Sequence, residues 1–375
     1  MKKLLITLLV VCLLPISRVQ ALDNDVTPNA KSAILIEANS RQILYDKNAE
    51  EKLYPASTTK IMTMILMFEA LRNKKISFDD EITTSKYAAS MGGSQVYLEV
   101  GESLSLKDMF KSIAIASAND ASVAVAEHIA GSINKFVEMM NDKAKKLGLK
   151  NTHFKNATGL HDPDHYTCAH DLAIMAAYLI EIGGEDLFAV TSLYDSYIRE
   201  DTKQSFWLVN TNKLLKLYNG VDGLKTGYTK EAGYCLVTTA QRDGQRIIGV
   251  LMKETAPKTR NEEMCSLLDY GFNNYKQVTI FKKDTLIEQH LVDKMDNLTI
   301  DVKCKKDIVY TKAKSADAKV STKVNYKENF LPVKQGDVIG TLDGKTIATY
   351  DVYSDTNASK STYLSKTIKT LKYLF

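Results

Sequence analysis

Apolar residues gather in two short strand-like runs near the start of the chain, Ala33 to Ile36 and Ile43 to Tyr45, with Ser40 and Arg41 at the turn between them. After Pro55 the period lengthens. Ile61, Met62, Ile65, Leu66 and Phe68 to Leu71 recur at helical spacing. Further apolar helical stretches cover Leu106 to Ala130 and Leu172 to Ile182. β-Branched runs return at Tyr234 to Ala240 and Arg246 to Lys253, joined by Asp243-Gly244, a hairpin signal. Met264 to Phe272 predicts a helix that closes this unit. Strands on both flanks of a large helical cluster predict an α+β domain.

The pattern changes after about Lys276. Short alternating segments follow at Leu298 to Val302, Asp307 to Thr311, Val320 to Val324, Val338 to Leu342 and Thr346 to Val352. They predict a small all-β sandwich domain of about 80 residues. Near the C-terminus Leu364, Ile368, Leu371 and Phe375 form one helical stripe, and Lys366, Lys369 and Lys372 lie on the other side. That is a basic amphipathic helix, too short to cross a bilayer and suited to lying in its interface. At the other end, Met1-Lys2-Lys3 precedes an apolar run from Leu4 to Ile16, and Val19-Gln20-Ala21 offers small residues at a cleavage site. A run of about 13 residues fits the core of an export signal. The chain therefore divides into a leader (1–21), a main domain (22–275), a β-rich accessory domain (276–358) and a membrane-anchoring helix (359–375). The mature protein is expected to work outside the cytoplasm, at the outer face of the cytoplasmic membrane.

A length of 375 residues supports two domains. Loss of Lys2, Lys3 and Arg18 with the leader lowers the net charge from +4 to about +1, which gives no reason to expect nucleic acid as a partner. Cys168, Cys235, Cys265 and Cys304 contain no closely spaced pair, so the thiols imply no metal site and leave their redox state open.

Three short motifs carry candidate chemistry. In Pro55-Ala56-Ser57-Thr58-Thr59-Lys60, positions i and i+3 share a helical face, so the Ser57 hydroxyl and the Lys60 amine can meet. A serine needs a base to become a nucleophile, and a lysine serves when burial or neighbouring charge lowers its pKa. Ser117-Ala118-Asn119 adds a second hydroxyl and an amide, suited to proton relay and to holding a substrate amide. Lys225-Thr226-Gly227 offers a cation and a hydroxyl for a carboxylate, and a glycine that permits close backbone approach on an edge strand.

These motifs, in this order and behind an export signal, resemble those of the low-molecular-mass penicillin-binding proteins, the serine-type D-alanyl-D-alanine carboxypeptidases. The resemblance extends through Gly92-Gly93-Ser94, Asn119-Asp120-Ala121, Ala157-Thr158-Gly159-Leu160, Asp222 to Tyr228 and Leu267 to Phe272, covering about residues 30 to 275. It implies a β-lactamase/transpeptidase-like fold, an antiparallel sheet with a helical cluster, and no cofactor. It implies that Ser57 attacks the bond between two terminal D-alanines of a peptidoglycan stem peptide, with Lys60 taking its proton. Backbone N–H groups of Ser57 and Tyr228 would form the oxyanion hole, and Ser117 with Lys225 would deliver a proton to the leaving group. Asn119 would hold the substrate backbone, and Lys225, Thr226 and, further off, Arg260 would bind the terminal carboxylate, with Gly227 beside them. β-Lactams are expected to acylate Ser57. Tyr228 departs from the histidine common in relatives, and Cys168 stands where Ser or Thr is more usual.

Other readings compete. A D,D-endopeptidase uses the same motifs. A β-lactamase would need a deacylation base, and no Glu-x-x-Leu-Asn segment lies between Ser117 and Lys225. His161, Asp162, Asp164, His165 and His170 could in principle hold zinc, although Pro163 marks their segment as a loop. A non-catalytic wall-binding protein would have no need of the intact Ser57, Lys60, Ser117, Asn119 and Lys225.

Overall fold

The computed structural model describes residues 25–200, 202–293, 298–316, 320–328, 330–344 and 347–359. The expected leader, and the basic C-terminal segment beyond its first residue, lie outside the described residues. Strands β1 (Ser32–Glu37) and β2 (Ile43–Lys47) form the predicted hairpin. A 3-10 turn, Ala56–Thr59, leads into α1 (Lys60–Arg72). The helical cluster continues through β3 (Glu81–Thr83), α2 (Lys86–Ala89), β4 (Ser103–Ser105), α3 (Leu106–Ala114), α4 (Asn119–Ala130), α5 (Ile133–Lys146) and α6 (Ala169–Thr191). A small hairpin of β5 (Asp195–Ile198) and β6 (Phe206–Val209) is followed by α7 (Leu214–Leu217). Strands β7 (Val221–Thr229), β8 (Gly233–Arg242) and β9 (Gln245–Glu254), then α8 (Pro257–Asn274), complete the unit.

The central sheet runs β2-β1-β9-β8-β7 and is antiparallel throughout. Both of its faces are covered, which explains why β1 is buried at every residue rather than at alternate ones. Ile34 and Ile36 of β1 pack into the helical cluster, whereas Ala33 and Leu35 face α8 with Leu267 and Leu268. Helix α1 lies inside the cluster, and every residue from Lys60 to Phe68 is buried. A helix apolar on all sides belongs in a core. Lys60 is therefore carried into the interior by its neighbours. At the hairpin between β8 and β9, Asp243 and Gly244 both take positive φ, as the Asp-Gly signal requires.

The stretch from Leu106 to Ala130, read from its pattern as one helical run, is two helices. Residues 115–118 interrupt it, and Ser117 sits there at φ 64, in the left-handed region that a helix of L-residues cannot propagate through. Backbone partners hold the break: Ala118 N donates to Ser112 O at 3.0 Å and Asn119 N to Ser94 O at 2.7 Å. Periodicity missed it because Ile115, Ala116 and Ala118 are as apolar or small as a helix would want.

The second unit is all-β, as expected. It contains β10 (Tyr275–Phe281), β11 (Leu286–Asp293), β12 (Leu298–Cys304), β13 (Ile308–Ala313), β14 (Lys323–Tyr326), β15 (Val338–Gly344) and β16 (Ile347–Ser354). Its pairings are antiparallel, and β16 links them by bonding to β12, β13 and β15. Ile300, Val302, Ile308, Ile339 and Val352 form a core separate from the first. Strands β10 and β11 were not foreseen.

Candidate active site

The three motifs meet where the 3-10 turn touches β7. Pro55 O accepts hydrogen bonds from Thr58 N at 3.3 Å and Thr58 Oγ1 at 2.7 Å, which closes the turn ahead of α1. Two glycines receive that turn. A Cβ on Gly159, at φ +87, would lie 1.8 Å from Ala56 O. A Cβ on Gly227 would lie 2.8 Å from Pro55 O and 3.0 Å from Ser57 N. The Ser57 backbone is thus seated between a loop and the edge strand β7, and only hydrogen side chains leave the space.

Lys60 Nζ lies 3.0 Å from Ser57 Oγ. It donates to Asn119 Oδ1 at 2.7 Å and to Thr158 O at 2.8 Å. Burial pushes its pKa well below the ordinary lysine value, Lys225 pushes it further down, and Asp120 acts weakly in the opposite sense. A neutral lysine has two N–H donors and one lone pair. In that neutral form Asn119 and Thr158 would take both donors, which would leave the lone pair facing Ser57 Oγ. Ser57 is half-buried, with its hydroxyl against the Lys60 amine.

Lys225, on β7, is 1% exposed, and its Nζ donates to Thr226 O at 3.0 Å. Burial and then the Arg260 guanidinium lower its pKa to about 7. Thr226 Oγ1 donates to Thr211 Oγ1 at 2.7 Å. Arg260, in the first turn of α8, is buried and donates to Asn261 Oδ1 at 2.9 Å. It therefore reaches the site through its charge on Lys225. Tyr228 is 55% exposed and stacks on Tyr234 with ring centres 4.3 Å apart. Ser117 is buried at the break before α4. Asn119 Nδ2 donates to Gly92 O at 2.7 Å, so both ends of its amide are already held by protein.

A serine next to a dehydrated lysine, with a second lysine and a hydroxyl opposite, is equipped for acyl transfer. Residues 18–256 match the family model described as D-alanyl-D-alanine carboxypeptidase, and residues 275–360 match the C-terminal domain of penicillin-binding protein 5. The chain belongs to the D-alanyl-D-alanine carboxypeptidase family. It is 44% identical to D-alanyl-D-alanine carboxypeptidase DacF of Bacillus subtilis, over 92% of this chain and 90% of that protein. Among solved structures, penicillin-binding protein 5 from Haemophilus influenzae superposes with a TM-score of 0.73 at 31% identity, covering 88% of this chain and 98% of that one. Penicillin-binding protein D2 from Listeria monocytogenes, in a cefotaxime-bound form, matches with a TM-score of 0.59 at 30% identity, over 65% of this chain and 97% of that one. The fold is accordingly the penicillin-binding transpeptidase-like fold with an all-β C-terminal domain.

Within this carboxypeptidase fold, several residues beside the three motifs also hold the site together. Asp120 is fully buried and accepts from Val96 N, Leu98 N and Ala121 N at 2.9–3.3 Å, which fixes the loop over the site. Thr158 contributes its carbonyl to Lys60. Thr211 ties β7 to the break before Ser117, because its N–H donates to Ile115 O at 3.2 Å. Asp120 and Thr158 lay inside matched segments, but a carbonyl role has no side-chain signature. Thr211, between two asparagines, reads simply as a turn.

The histidine-rich loop is built into the scaffold. His165 Nδ1 accepts from Lys155 N at 3.1 Å, which places the ring proton on Nε2, facing Thr59 Oγ1 at 2.8 Å. Burial lowers its pKa to about 4, so it stays neutral near pH 7. Cys168 caps α6: its Sγ accepts from Asp171 N at 3.4 Å. That position suits a hydroxyl, which accounts for the Ser or Thr expected there. All four cysteines among the described residues are free.

Proposed function

We propose that the protein is a serine-type D-alanyl-D-alanine carboxypeptidase that trims the terminal D-alanine from peptidoglycan stem pentapeptides, with Ser57 as the acylated residue. The observation that carries this reading is the buried, depressed-pKa Lys60 amine 3.0 Å from Ser57 Oγ. Ser57 Oγ attacks the carbonyl between the two D-alanines as its proton passes to Lys60. Backbone N–H groups of Ser57 and Tyr228 hold the developing oxyanion, an arrangement favoured by the close approach of Gly227 to the turn. The C–N bond then breaks, Ser117 and Lys225 supply the proton that lets D-alanine leave, and an ester remains on Ser57. Water hydrolyses that ester. Thr226 and the Lys225–Arg260 positive field receive the substrate's terminal carboxylate. Asn119 holds Lys60 through its Oδ1, and the Nδ2 hydrogen not taken by Gly92 O is left for the substrate backbone.

The match of residues 275–360 supports a β-rich accessory domain at 276–358. The leader at 1–21 and the basic stripe of 359–375 support export and attachment to the outer face of the cytoplasmic membrane. Incubation with a pentapeptide ending in D-Ala-D-Ala tests the activity. The wild type releases one D-alanine per peptide and takes up a fluorescent penicillin, and Ser57→Ala does neither. Absence of both from the wild type would overturn the proposal, and preferential cleavage of crosslinked dimers would reassign it to an endopeptidase.

A further inference from the structure

Beyond the end of β7 lies a cavity of about 300 Å³ lined by Lys31, Lys52, Tyr54, Tyr166, Glu231 and Lys253, among others. Tyr54 in its lining directly precedes Pro55 and the turn that carries Ser57, and Glu231 belongs to the β7–β8 turn. Lys31 is ion-paired with Glu51. Lys52 Nζ sits 4.7 Å over the Tyr166 ring, a stacking that holds its charge at the wall. Lys253 is presented by a deformation of the sheet. Tyr234 pairs with Glu254 but Leu236 pairs with Leu251, so β9 carries one extra residue here, and Lys253 takes φ 58. A bulge re-aims a side chain, and a non-glycine residue in the left-handed region is strained and calls for a reason.

The direction of the substrate supplies one. If the terminal carboxylate lies at Thr226 and the scissile carbonyl at the Tyr228 N–H, the upstream peptide continues along β7 toward Thr229 and Glu231. Glu231 is three residues past Tyr228, at most about 10 Å along an extended strand. A side group carried two residues upstream of the acylated D-alanine spans a comparable length. We infer that this cavity is a subsite for a free carboxylate on the substrate two residues upstream of the acylated D-alanine, held by Lys52 and Lys253. The inference rests on the carboxypeptidase reading above.

Two synthetic pentapeptides test it: L-Ala-γ-D-Glu-L-Lys-D-Ala-D-Ala with the α-carboxylate of the γ-linked residue either free or amidated. The wild type is expected to favour the free acid in kcat/KM for D-alanine release, on the order of fivefold, as suits partly exposed charge pairs. A double variant, Lys52→Gln with Lys253→Asn, keeps a residue that tolerates positive φ at the bulge and removes both charges. It should handle the two peptides equally, match the wild type on the amidated one, and take up fluorescent penicillin at the wild-type rate. Equal rates on both peptides by the wild type, or a preference that survives in the double variant, would refute the subsite and leave the carboxypeptidase reading intact. Failure of the wild type to release D-alanine from either peptide would remove that reading, and the subsite with it.

Discussion

Lys60 Nζ is closer to Asn119 Oδ1, at 2.7 Å, than to Ser57 Oγ, at 3.0 Å. Asn119 thus fixes the rotamer of Lys60, and its neutral amide, although it accepts from the amine, stabilises the ammonium form less than a carboxylate would.

Asn119→Asp makes that distinction measurable. A carboxylate at the same position favours the protonated amine and raises the pKa of Lys60. Acylation by fluorescent penicillin should fall about 100-fold at pH 7 and recover as pH rises, with the rising limb of the pH profile displaced to higher pH. An unchanged limb would show that Asn119 serves only the substrate.

Lys225 links the site to stability. Its pKa is about 7 in the folded chain against the ordinary lysine value of 10.5. Between those values the unfolded chain binds a proton that the folded one does not, so stability from this group rises with pH from about 7 to 10.5 and is lowest below 7. Lys225→Met removes the penalty, on the order of 4 kcal/mol at pH 7. Calorimetry should find a Tm raised by several degrees at pH 7 and by less at pH 10, in a protein that no longer releases D-alanine. A lower Tm at pH 7 would mean that the amine's hydrogen bond outweighs its dehydration.

Gly227→Ala probes the contact between β7 and the turn. The added methyl would stand 2.8 Å from Pro55 O and 3.0 Å from Ser57 N. Moving the turn by a few tenths of an ångström costs roughly 1–3 kcal/mol in stability. On the proposed mechanism it should cost more than 100-fold in acylation, since the Ser57 N–H assigned to the oxyanion hole shares that contact. Denaturant unfolding alongside penicillin uptake separates the two effects, and full uptake would refute the argument.

Cys168→Ser replaces a weak cap acceptor by a good one. The thiol's pKa is pushed up to about 12 by burial, so it is a neutral thiol at any working pH. The serine variant should gain about 0.5–1 kcal/mol from the α6 cap with unchanged activity, read from the urea midpoint.

What could be read from the sequence alone was chemistry tied to residue identity. The proximity of Ser57 and Lys60 was legible because a hydroxyl and an amine at i and i+3 share a helical face, and the β8–β9 hairpin because Asp243-Gly244 admits few other conformations. The break at Ser117 was not, since its cause lies in partners such as Ser94, distant in sequence. The same holds for Thr158 and Thr211, which act through backbone position. Strands β10 and β11 escaped because they are mostly exposed or half-exposed edge material, where alternation is weak.

The seating of the catalytic turn between Gly159 and Gly227 has a consequence for how this enzyme is dissected. Truncation scanning asks what each side chain supplies, and these two positions supply an omission. Their importance registers only when atoms are added. A survey by deletion would map the lysines and the serine and leave out the two places that hold the serine where it is.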